Sequence, residues 1–117
     1  MLVWSYEIID WDDPEEDPDP ATNNLLHCQQ PDHLGDQAEF IVYELLREEP
    51  VEVRFARQTA EHAVVGPAAA RNRLYLVLFA SSHKRGDWLR PVTGWTAEPA
   101  EIVDWERATG STWRRYR

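Results

Sequence analysis

Three histidines and three arginines carry the acid–base and anion chemistry available to this chain. His27, His33 and His62 supply imidazoles, which titrate near neutral pH and can act as general base or general acid. Arg54, Arg73 and Arg90 supply guanidinium groups, whose planar fork matches a phosphate. Arg90 stands in the run Arg90-Pro91-Val92-Thr93 and, by period-2 alternation, shares a strand face with Trp88 and Val92. On an open face Arg90 reaches a phosphate while Trp88 stacks on a base. Arg54 alternates outward from Val53 and Phe55, and Arg73 opens an apolar strand, so both extend the same cationic surface.

Each of these residues also has a plainer role. His27 can bond the acidic loop that precedes it, His33 can be a loop histidine, and His62 can form a cross-strand polar pair. Arg90 can pair with one of the many carboxylates. His83, beside Lys84 and Arg85, reads as a solvated turn residue. The acidic run Asp10–Asp19 lacks the glycine and spaced ligands of a calcium loop, so no metal is expected. Cys28 adjoins His27, but neighbours on a helix point about 100° apart. A buried structural thiol is therefore expected, not a nucleophile.

The elements that must position these residues follow from periodicity. Trp4, Tyr6 and Ile8 alternate with Val3, Ser5 and Glu7, which predicts a strand over residues 2–9. Asp10–Pro20 holds seven acids and three prolines and reads as an exposed loop. A short helix is expected over 21–30, stopped by Pro31. A second begins near Asp36, whose spacing to Glu39 suits a capping box, and buries Ala38, Ile41, Val42, Leu45 and Leu46. Val51–Phe55 and His62–Gly66 read as strands, with Gly66-Pro67 and Arg71–Arg73 bracketing a turn. Leu74–Ala80 is apolar throughout, as in a central strand covered on both faces. Asp87–Trp95 is the next strand, and Pro91 within it implies an edge or a bulge. Thr96 is the expected cap of a last helix, with Pro99 in its first turn, running to about Arg107. The order predicts an α+β fold with a mostly antiparallel sheet of four to five strands packed against two or three helices.

At 117 residues the chain has the length of one domain, spanning 1–117 with a short basic-aromatic tail at 108–117. A single cysteine and an N-terminus unlike a signal peptide make the cytoplasm the expected location, and no run is apolar enough for a membrane. Charge is strongly split. Met1–Glu52 carries 15 Asp/Glu against Arg47 alone, while Val53–Arg117 carries 6 acids and 11 Lys/Arg, within an overall −9. The arginines thus concentrate where the strands are expected, and a partner is implied by the asymmetry.

Three patterns then occur in order: Trp11-Asp12 followed by Asn24-Leu25-Leu26-His27; His62-Ala63-Val64-Val65-Gly66 with Arg73-Leu74-Tyr75-Leu76-Val77-Leu78-Phe79; and Arg90-Pro91-Val92-Thr93-Gly94-Trp95. Together they resemble the BrnT-type toxins, a branch of the RelE/ParE-like ribonuclease toxin fold, over residues 4–107. The resemblance implies a toxin of a toxin–antitoxin pair that cuts RNA without metal or cofactor and is held by an antitoxin partner. It assigns catalysis to Arg90 with His27, His33 or His62, and RNA binding to Arg54, Arg73 and Trp88. The chain departs from the family in two ways. Pro31 interrupts the turn where a further His-Gly is usual, leaving His33 two residues late, and the overall charge is acidic. A non-catalytic interaction module on the same fold, forming a homodimer or binding an acidic partner, is the alternative.

Overall fold

Helix α2, Ala38–Arg47, shows why the chain folds around a sheet. Its stripe of Ala38, Ile41, Val42, Leu45 and Leu46 is buried on one side, as the 3.6-residue spacing requires. The stripe packs on the sheet residues Val64, Tyr75, Val77 and Phe79. The computed structural model describes residues 4–53, 60–68 and 72–113.

The fold is α+β, and the described residues form a four-stranded antiparallel sheet with three α-helices. Strands β1 (Val51–Val53), β2 (His62–Ala68), β3 (Arg73–Ser81) and β4 (Leu89–Thr96) pair in sequence order. The remaining helices are α1 (Asn24–Cys28) and α3 (Pro99–Thr109). Alternate residues of β3 enter two cores. Tyr75, Val77 and Phe79 face α2, whereas Leu74, Leu76 and Leu78 join Trp105 of α3. This double coverage explains the unbroken apolar run of the strand. Among the described residues no helix is long and apolar enough to cross a membrane.

Pro91 lies on the edge strand β4 and at a bulge. Leu78 pairs with Thr93 and Phe79 with Pro91, so Val92 is the extra residue.

Four local expectations are corrected. The segment over 2–9 is not a described strand: Tyr6–Ile8 form a 3-10 turn capped by Ser5, and only Ile9 bridges, parallel, to Leu89. The alternating Trp4, Tyr6 and Ile8 bury against the α2 core by curling over it, which satisfies them without strand pairing. Helix α2 has no capping box, because its N-cap is Gln37 and its entry is made by Gly35, at φ +83°. Gly66-Pro67 lies inside β2, where Gly66 admits α2: a Cβ there would stand 2.9 Å from the Leu45 carbonyl oxygen. Thr96 ends β4, and α3 is capped instead by the reciprocal Glu98–Glu101 box, ending at Thr109 before Gly110.

Candidate functional site

The site forms where α1 and the turn after it lie against edge strand β4. Helix α1 starts cleanly because Asn23 caps it: its Oδ1 accepts from the Leu26 amide at 3.0 Å. The Asn23 Nδ2 donates to the Asp17 carbonyl at 2.8 Å, and Asn23 is fully buried. Asn24 locks the acidic loop reciprocally. The Asp12 amide donates to its Oδ1 at 2.8 Å, its own amide donates to Asp12 Oδ2 at 3.0 Å, and its Nδ2 donates to the Asp10 carbonyl at 2.9 Å. The acidic loop, expected as a plain exposed loop, is thus tied to the helix that carries His27. Lys84 reaches it as well, with Nζ 3.6 Å from Asp12 Oδ1.

Pro31 ends α1, yet it does not separate the histidines. The backbone reverses through bonds from the Leu34 amide to the Cys28 carbonyl (2.9 Å) and from the Gly35 amide to the Gln30 carbonyl (3.1 Å). The reversal returns His33 over His27, with ring centroids 4.5 Å apart and planes tilted by 34°. His33 Nδ1 lies 3.1 Å from Thr93 Oγ1 of β4, and its Nε2 lies 3.9 Å from Asp32 Oδ1. The Thr93 hydroxyl can serve either tautomer, since it both donates and accepts. If the hydroxyl donates to Nδ1, Nε2 carries the proton. If Nδ1 donates to the hydroxyl, Nε2 is free to accept one.

Beside this pair, Ala21, Thr22, Asn23, Asn24 and His27 face Arg90 and Val92 across a cleft of about 180 Å³. Arg90 is partly exposed, and its Nε donates to the Ser81 carbonyl at 3.3 Å, which fixes the plane of the guanidinium. Ser81 is held in turn by Glu61, which accepts from its hydroxyl at 2.8 Å and its amide at 3.2 Å. These Ser81 bonds hold the Glu61 carboxyl below the usual range, with smaller help from His62 and Arg90.

The other sequence candidates lie elsewhere. His62 Nδ1 is 2.7 Å from Glu52 Oε2 across β1 and β2, and its ring meets Trp4 edge-on. It pairs with Phe79, which pairs with Pro91, so two strand spacings, about 10 Å, separate it from β4. Arg73 is exposed at the far end of β3, seven residues or about 23 Å from Ala80, the partner of Arg90. Trp88 precedes β4 and does not line the cleft, and the Arg85 guanidinium sits 4.1 Å from its ring centroid. That ring thus holds a cation against one of its faces. Arg54 lies outside the described residues.

Thr93, Asn23, Asn24 and Glu61 belong to the site and carried no role in the sequence reading. The Asn24-Leu25-Leu26-His27 and Arg90–Thr93 patterns did contain two of the four, Asn24 and Thr93. Cys28 is fully buried, and burial pushes its thiol up to about 12. Among the described residues no three His, Cys, Asp or Glu side chains gather as metal ligands. The chain matches no protein-family model, and no curated protein or solved structure gives a match.

Proposed function

We propose that the chain is a toxin-like protein of the BrnT/RelE-like kind, acting on RNA by metal-independent cleavage at the His27–Arg90 cleft, beside which His33 stacks on His27. The observation that carries the reading is the return of His33 onto His27 beside an oriented arginine. Cleavage through the 2′-hydroxyl needs a base for that hydroxyl, an acid for the leaving oxygen, and cationic charge on the phosphorane. Two adjacent imidazoles supply the first two. Arg90 supplies the third, with its Nε anchored on Ser81 and its terminal nitrogens available. Thr93 is a positioning residue, because its hydroxyl holds the His33 ring at Nδ1. His62, Arg73 and Trp88 have no part in this assignment. An antitoxin partner follows from the same family reading.

Inducible expression in a bacterial host tests the proposal. The wild type is expected to arrest growth and to cleave RNA in vitro with EDTA present, and Arg90→Ala to lose both by about a hundredfold or more. Absence of growth arrest and of RNA cleavage in the wild type sinks the reading. The interaction-module alternative is then favoured by the split of charge between the two halves of the chain.

A further inference from the structure

On the opposite side of α2 from its buried stripe, a second concavity of about 430 Å³ is lined by Tyr6, Asp36, Gln37, Glu39, Phe40 and Tyr43. None of these residues belongs to the His27–Arg90 cleft. Phe40 is 45% exposed and Tyr43 38% exposed, although both are large and apolar or aromatic. Exposed aromatic surface gathered into a groove marks a contact site more often than a scatter of single residues does. Here the rings are also arranged. Tyr6 meets Tyr43 edge-on at 5.3 Å, and Phe40 stacks along Tyr43 at 6.4 Å.

The chemistry of the groove selects its occupant. Aromatic faces carry negative charge density, and Asp36 and Glu39 add formal negative charge at the same rim. The phenol of Tyr6 is pushed up by its burial, against the lowering bond from Trp11, and Glu39 pushes it further. The protein already places one guanidinium against this surface. Arg47 lies 5.9 Å from the Tyr43 ring centroid, and its Nη1 donates to the Tyr43 hydroxyl at 3.5 Å. RNA is repelled by such a groove and an acidic protein surface gains nothing from it.

We infer that this aromatic–acidic groove is a docking site for an arginine-bearing segment of a partner protein. A guanidinium stacks on the exposed faces of Phe40 or Tyr43 while Asp36 and Glu39 accept its hydrogen bonds. The volume suits more than one side chain, within the range of ordinary ligand pockets.

A capped tetra-arginine peptide is the probe, titrated into the full chain by calorimetry. Phe40→Ala is expected to weaken binding roughly tenfold, and so is the Asp36→Asn/Glu39→Gln pair. The charge-matched pair Glu15→Gln/Glu16→Gln, in the acidic loop, is expected to change it less than about twofold. Circular dichroism melts verify that each variant folds, which the exposure of the substituted side chains favours. Equal losses for the two charge pairs would overturn the inference, since the peptide would then follow net charge alone. Full affinity in Phe40→Ala would overturn it too. Sedimentation supplies a third outcome: a wild-type dimer that Phe40→Ala dissociates would assign the groove to a second copy and overturn the partner segment.

Discussion

At Cys28 burial alone sets the chemistry. No cation or hydrogen-bond donor offsets the loss of water around a thiolate, so the native state holds the proton far more tightly than the unfolded chain does. A raised native pKa gives stability that is complete below the unfolded value and declines above it. From about pH 9.0 towards about 12 this group should remove about 1.4 kcal/mol of stability per pH unit. Urea unfolding at about pH 8 and about pH 10.5 measures the decline, which should be shallower in Cys28→Ala. The same slope in both proteins would show that the thiol is not insulated. Residue chemistry of this kind was readable beforehand, because a lone cysteine on a helix beside a poorly oriented histidine has few other fates. The fate of His33 was not. Its contact with His27 depends on a reversal that Pro31 begins and Gly35 completes at positive φ, and no periodicity encodes where such a reversal ends.

At the scale of elements, α1 is only five residues long and cannot be stable alone. It persists because Asn23 and Asn24 bind it to the acidic loop through four hydrogen bonds, and Asn23 caps it through a fifth. Asn23→Ala removes the cap and strands the partly buried Leu26 amide and Asp17 carbonyl. A loss of about 2 kcal/mol is expected by chemical denaturation. Accelerated amide exchange should be confined first to α1 and residues 10–20. An unchanged midpoint would mean that the loop, not the cap, organises the helix. Helix α2, the central strand and the position of Pro91 were legible because burial on one or both faces leaves a period in the sequence. The N-terminal segment misled for the same reason. Trp4, Tyr6 and Ile8 have strand spacing, yet Ser5 can cap a 3-10 turn and the aromatic rings reach the α2 core from it. The charge pattern likewise located the arginines on strands, but only pairing register shows that Arg73 and Arg90 mark opposite ends of the sheet.

For the molecule as a whole, the acidic loop, bonded to Asn23 and Asn24 of the His27–Arg90 cleft, is the main source of the net charge of −9. A polyanion approaching Arg90 must pass that field, which slows encounter without removing the local cation. On the proposed reading, replacing Glu15 and Glu16 by Gln should raise the RNA association rate about two- to threefold at low salt, and the gain should vanish near 1 M salt, where the Debye length is about 3 Å. Stopped-flow fluorescence resolves both conditions. A rate that is indifferent to the loop charges would place the RNA path on another face.

The edges of the sheet carry a last consequence. One border is β1, three described residues long, and the other is β4, broken by Pro91 and the extra Val92 and lined by α1. Proline removes a donor and a bulge breaks the ladder. The β4 border is therefore a poor template on which a neighbouring chain could add its own strand. Recognition along this border must be written in side chains, those of Arg90 and Thr93 beside α1, and not in backbone pairing.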